Sequence, residues 1–227
     1  MSLNIVCYYA DFGRPYAPLI ERMTKSAKEL MPDARTVLLT PTKNTMVQQY
    51  FDTIYAIDCQ TEIGTLCRER ARAMATWMTY MEGGWTVFVD PDVYFRRAIE
   101  FGEHFDVGLL WRSKPDQPIN TGLILARHGC PDFWQRYGKI AVNLPKAIHH
   151  WWCDQIAFAL MTSVMHKAGD ILDIEDARVW LMDANRHCAL PGREVDETWA
   201  IHEKGRLKGE GWDKIFTGRD PEKVAAE

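Results

Sequence analysis

Long hydrophobic runs are missing from this chain, and so is a surplus of positive charge. No stretch of its 227 residues approaches the length of a membrane-spanning helix. Lys and Arg total 27 against 31 Asp and Glu, a net charge of −4, so neither nucleic acid nor an anionic membrane meets a basic face. The first nine residues lack the charged region and cleavage site of a signal peptide. The six cysteines form no Cys-x-x-Cys pair and keep no regular spacing; Cys7, Cys67 and Cys153 sit in apolar contexts and read as reduced core thiols of a cytoplasmic protein. Internal repeats and low-complexity linkers are absent too.

What is present is an ordinary globular composition. With 47% hydrophobic and 11% aromatic residues, the chain can build one sizeable core, and residues 1–227 read as a single domain with a polar, frayed tail over 219–227. Apolar β-branched runs predict strands over 4–9, 35–39 and 51–57 and a further strand leading up to Asp90. Amphipathic periodicity predicts helices over 16–31 and 66–81, the second ended by Gly83-Gly84. This β-α-β-β-α-β start indicates an α/β sandwich with a mixed, mostly parallel sheet flanked by helices. The second half is less regular: strands over 107–110, 121–125, 171–174 and 179–182, and helices over 131–142 and 154–165. Beyond Met182 periodicity fades, and glycines suggest loops.

The most informative stretch is Gly84-Trp85-Thr86-Val87-Phe88-Val89-Asp90-Pro91-Asp92-Val93-Tyr94-Phe95. A buried strand ends in two carboxylates one residue apart, and i, i+2 side chains of extended chain point the same way. Paired carboxylates are relieved by a hard divalent cation, Mn²⁺ or Mg²⁺, and such ions also bind substrate phosphates. The plain alternative is a pair of turn aspartates. Pro91 between them stiffens the turn without forbidding ligation. Ligands of open α/β sheets bind beyond the carboxyl ends of the strands, where Asp11, Asp90 and Asp92 all fall.

Three later segments follow in order: Pro118-Ile119-Asn120-Thr121-Gly122, Trp152-Cys153-Asp154-Gln155, and His202-Glu203-Lys204-Gly205-Arg206-Leu207-Lys208. With Asp90-Pro91-Asp92 they resemble the Asp-x-Asp, Asn-x-Gly, Asp-Gln and His-x-x-Gly-x-x-Lys signatures of nucleotide-sugar glycosyltransferases of the GT-A fold, most of all the retaining family-eight type. The resemblance runs from the first strand to about Lys208.

That resemblance implies a metal-dependent enzyme that moves a sugar from a nucleoside diphosphate, most often UDP, to an acceptor hydroxyl. It implies that Asp90, Asp92 and His202 hold the metal, and that Gly205 and Lys208 meet the diphosphate. Tyr8, Ala10 and Asp11 would hold the nucleoside. Asn120, Gly122, Asp154 and Gln155 would surround the transferred sugar, with Gly122 leaving room for its ring; Asn120, Asp154 and Gln155 are the catalytic candidates, and Asp154 is the one carboxylate among them that could serve as base or nucleophile. Arg68 and Arg72, four apart on one helix face, would reach toward the diphosphate or sugar, and Arg70 would face elsewhere. Each has a structural alternative: a core tyrosine, a turn Asn, an N-capping Asp154, a solvated arginine face. Trp111, Trp152 and Trp212 are candidates to stack on a carbohydrate acceptor or to pack in the core. The acceptor stays open among glycan, protein, metabolite and modified nucleobase. Two rival readings are a nucleotidyltransferase of similar architecture and a non-catalytic nucleotide- or sugar-binding module. The first would carry a glycine-rich basic loop after the first strand, where this chain has Ala10-Asp11-Phe12-Gly13-Arg14-Pro15.

Overall fold

The computed structural model describes residues 2–11, 16–41, 46–58, 62–114, 117–149, 152–162 and 166–203. The chain begins β1 (Leu3–Tyr8), α1 (Ala17–Leu30), β2 (Arg35–Thr40), β3 (Thr53–Ala56), α2 (Leu66–Tyr80) and β4 (Trp85–Val89). There follow β5 (Val93–Phe95), β6 (Val107–Trp111), β7 (Ile119–Arg127), α3 (Pro131–Asn143) and α4 (Cys153–Thr162). The last described elements are β8 (Ile171–Ile174), β9 (Ala177–Asp183), α5 (Ala184–His187), β10 (Cys188–Ala189) and β11 (Ala200–His202).

Eight strands form one sheet in the order β3-β2-β1-β4-β7-β6-β9-β8. The pairs β3-β2, β2-β1, β1-β4 and β6-β9 are parallel, and β4-β7, β7-β6 and β9-β8 antiparallel. The expected mixed, mostly parallel sheet is therefore what the chain builds. β1 leads outward through β2 to β3, whereas β4 lies on the other side of β1. The carboxyl ends of β1 and β4 thus flank a topological switch point, where such sheets bind ligands.

Alternate residues of the central strands feed two cores, which is why these strands read as continuous apolar runs rather than alternating ones. Val6, Phe88, Leu109 and Ile124 face α2, α3 and α4, where Tyr137 stacks on Phe158 at 3.9 Å. Ile5, Val87, Leu125 and Met182 face the other way, onto Ile20, Met23 and Ala27 of α1. Those three helix positions recur at the spacing of one helical face. Gly84, at φ +95°, ends the turn before β4; a Cβ there would stand 2.2 Å from Ser2 Oγ, so only glycine fits against the start of β1.

One expectation needs correcting. The chain beyond Met182 is not merely loop. β9 continues to Asp183, whose side chain caps α5 by accepting from Asn185 N. β10 and β11 then form a second, three-stranded sheet with β5. These strands are two or three residues long, too short for a periodic pattern to declare them. Among the described residues, no helix is long and apolar enough to cross a membrane.

Candidate active site

The carboxylates come first, because β4 delivers them. After Val89 the chain turns, with Val93 N donating to Asp90 O at 3.1 Å, and β5 begins. Asp90 N donates to Gly122 O at 2.9 Å, which ties the turn to β7. β11 runs antiparallel to β5 with His202 opposite Val93, and Glu203 N donates to Asp92 O at 2.9 Å. The imidazole is thereby carried to the carboxylates across more than a hundred residues of sequence.

His202 is 2% exposed. Its Nε2 lies 3.1 Å from Asp92 Oδ1 and 3.4 Å from Asp90 Oδ2, yet makes no hydrogen bond to either. A buried ring nitrogen aimed between two carboxylates without hydrogen-bonding them is what a ligand nitrogen looks like. One ligand atom from each of Asp90, Asp92 and His202 lies within 4.8 Å of the others. The donor set, two hard oxygens and one imidazole, fits a divalent cation such as Mn²⁺ or Mg²⁺.

Gly122 has a different role from the one its motif suggests. A Cβ at this position would lie 2.4 Å from His202 Cε1 and Nδ1 and 2.8 Å from Asn120 Oδ1. The missing side chain leaves room for the imidazole, not for a sugar ring. Asn120, 6% exposed, uses its Oδ1 to accept from Gly122 N at 2.7 Å, so it shapes the same turn.

The arginine assignment on α2 is reversed. Arg68 pairs with Glu69 at 2.5 Å, and Arg72 pairs with Glu69 at 3.0 Å and donates to Asp58 O at 3.3 Å. Arg70 is the one that enters the site. Its guanidinium lies 2.8 Å from Asp90 Oδ1 and 2.9 Å from Asp154 Oδ2, and it donates to Thr121 O at 2.7 Å. Asp90 and Asp154 hold Arg70 charged against its burial, pushing its pKa up. A helical signal for this exists: Arg70, Ala73, Met74 and Trp77 share one face, and the last three are buried.

Asp154 is 1% exposed and sits within the first turn of α4 rather than at its N-cap. Its Oδ2 also accepts from Thr121 Oγ1 at 2.9 Å, and its Oδ1 from Gln155 N at 2.8 Å. Burial raises its pKa, opposed by Arg70 and these hydrogen bonds. Both oxygens are engaged by protein groups, and Asp154, which also lines the cavity, holds Arg70 beside Asp90. Gln155 faces the other way, accepting from Arg112 at 3.1 Å.

These groups line a cavity of about 780 Å³ that opens at the carboxyl ends of the strands. Tyr8, Tyr9 and Ala10 line it at the end of β1, with Tyr16 edge-on to Tyr9 at 5.9 Å. Asp11, half-buried, is the next residue along. Trp111 and Trp152 line the opposite part. Gly205, Lys208 and Trp212 lie outside the described residues, as does the 219–227 tail. The cysteines Cys7, Cys67, Cys130, Cys153 and Cys188 are free thiols.

Sheet, switch point and carboxylate–imidazole cluster define an α/β protein of the GT-A architecture. One solved structure with the same fold is a glycosyltransferase involved in the glycosylation of the major capsid of PBCV-1. It matches with a TM-score of 0.54 and 12% identity, over 89% of this chain and 93% of that one. No protein-family model matches the chain, and no curated protein matches it.

Proposed function

We propose that this chain is a metal-dependent glycosyltransferase that moves a sugar from a nucleoside diphosphate, UDP by preference, to an acceptor hydroxyl with retention at the anomeric carbon. The observation that carries the reading is the convergence of Asp90, Asp92 and His202 beside the buried Arg70, in a cavity at the switch point of a glycosyltransferase-like fold. In the reaction the bond from the anomeric carbon to the diphosphate oxygen breaks, and its electron pair stays on that oxygen. A new bond forms to the acceptor oxygen, whose proton passes to the departing diphosphate oxygen. Bound by the three side chains, Mn²⁺ or Mg²⁺ would supply positive charge for the leaving diphosphate.

The protein's own groups set up that chemistry. Arg70 takes one oxygen of Asp90, which leaves Oδ2 turned toward His202. Tyr8, Tyr9 and Tyr16 offer aromatic surface where the nucleobase would lie, and Gln155 borders the space for the sugar.

The test is a panel of sugar nucleotides scored for Mn²⁺-dependent release of UDP and free sugar, which needs no acceptor. Hydrolysis of one donor class, lost on chelation, supports the reading. Failure to bind UDP in the presence of Mn²⁺ sinks it, and pyrophosphate release from a nucleoside triphosphate would point to nucleotidyl transfer instead.

A further inference from the structure

We infer that Arg22 of α1 is a positioning residue for the metal site: it holds Glu203, and through Glu203 the His202 imidazole, against Asp90 and Asp92. The inference rests on the metal-dependent reading above and adds a residue that acts on the site through another.

The imidazole needs something to aim it. Its Nε2 has no hydrogen-bond partner among the described residues. The ring therefore takes its direction from the backbone that carries it and from the space that Gly122 leaves. That backbone is β11, three residues long. It pairs with β5 through Ala200 opposite Phe95, Ile201 opposite Tyr94 and His202 opposite Val93. Strands this short are marginal without support from another element.

The support comes from α1. Arg22 and Ser26 stand four apart on one face of that helix, and both meet the small sheet. Ser26 Oγ accepts from Phe95 N at 3.0 Å, on the outer edge of β5. Arg22 lays its guanidinium over the Tyr94 ring, 3.5 Å from the ring centre. From there its Nη1 donates to Glu203 Oε1 at 2.6 Å. Glu203 follows His202 directly, and its own N donates to Asp92 O at 2.9 Å. One helix thus grips both strands, β5 at Tyr94 and Phe95 and the end of β11 at Glu203.

Most half-exposed ion pairs contribute little, because water screens them and two long side chains must be ordered. This pair differs in two respects. The Glu203 side chain is 9% exposed, although that of Arg22 is 47% exposed. The guanidinium is also held flat on the tyrosine face, so less freedom is lost when it meets the carboxylate. What the contact secures is the placement of β11 against β5, and so of Nε2 against the two carboxylates, rather than the stability of the whole fold.

The test is Mn²⁺ binding at saturating UDP, read from the free-Mn²⁺ signal in electron paramagnetic resonance. Arg22→Gln and Glu203→Gln should each weaken Mn²⁺ about tenfold, the loss typical of removing a group that orients a metal ligand. The double variant should lose no more than either single one, since both changes break the same contact. Melting temperatures should hardly move. A second readout is the nitrogen modulation of the bound Mn²⁺ electron spin echo, which reports a coordinated imidazole. It should be clear in the wild type and diminished in Arg22→Gln. Wild-type affinity in Arg22→Gln, losses that multiply in the double variant, or an undiminished nitrogen signal would each overturn the inference. So would a loss confined to Glu203→Gln, because that residue borders the cavity and would then be acting on its own. If Arg22→Gln folds poorly, Glu203→Gln, which keeps the shape of the side chain, decides: unchanged affinity and nitrogen signal there are fatal. Wild-type protein that binds no Mn²⁺ with UDP, or binds it without a nitrogen signal, loses the metal-site reading itself.

Discussion

Arg70 Nη1 and Asp154 Oδ2 lie 2.9 Å apart, and the same guanidinium reaches Asp90 Oδ1 at 2.8 Å. One arginine thus ties the start of α4 to the end of β4. It also divides the labour of Asp90: one oxygen is neutralised by Arg70 and the other faces His202. Removing the arginine therefore tests a buried ion pair and a ligand orientation together.

Arg70→Leu leaves Asp154 buried without its charge partner. Stability should fall by about 3–5 kcal/mol, read as the urea midpoint, and the Arg70→Leu/Asp154→Leu pair should recover most of it. A single variant as stable as the wild type would show that the pair is better solvated than the structure has it.

Asp92→Asn should weaken Mn²⁺-dependent UDP binding by about 1.5–3 kcal/mol, since a charged ligand becomes neutral. The side chain is half-buried at the cavity floor rather than packed in the core, so the melting temperature should hardly change. Calorimetry with Mn²⁺ decides the matter: equal affinities in variant and wild type rule out Asp92 as a ligand.

Gly122→Ala drives a methyl group into the His202 ring, whose Cε1 would be 2.4 Å away. Overpacking of this kind costs about 1–3 kcal/mol. Because the displaced ring carries the ligand nitrogen, Mn²⁺ affinity should drop along with stability. Unchanged metal affinity in a destabilised variant would separate Gly122 from the metal site.

His128 gives the fold a pH dependence. Thr86 Oγ1 accepts from Trp77 Nε1 at 3.0 Å and faces His128 Nε2 at 2.8 Å, while His128 Nδ1 donates to Gly83 O at 2.7 Å. Burial lowers the pKa of His128, and also of His187. The unfolded chain then binds more protons than the native one as pH drops through the ordinary histidine value of 6.5. Stability should hold above about pH 7 and decline below it, and His128→Asn should flatten the decline. Urea midpoints from pH 7.5 down to 5.5, in steps of about half a unit, provide the measurement. A stability that rises as pH falls in that window contradicts the buried neutral imidazole.

The strands leading to Tyr8 and Asp90 were legible because an apolar run ending in a carboxylate or a Tyr-Ala-Asp step is a local pattern. The helices over α1, α2 and α3 were legible for the same reason. Arg70 was harder: it stands between Arg68 and Arg72 in a charged stretch, and only the periodicity of Ala73, Met74 and Trp77 places it inward. Gly122 could be marked as important but not understood, because its neighbour is His202, eighty positions further on. The small β10-β11-β5 sheet left no trace at all, since two-residue and three-residue strands are defined by their partners and not by their own composition.

That small sheet means the ligand cluster is completed by the last part of the described chain. A protein cut before Thr198 would still contain every strand of the eight-stranded sheet, along with Asp90, Asp92 and Arg70. It would lack β11, and so the imidazole. That short sheet also buries Ala200 and Ile201, so a chain cut there would lose one of the three candidate metal-site side chains together with part of its second core.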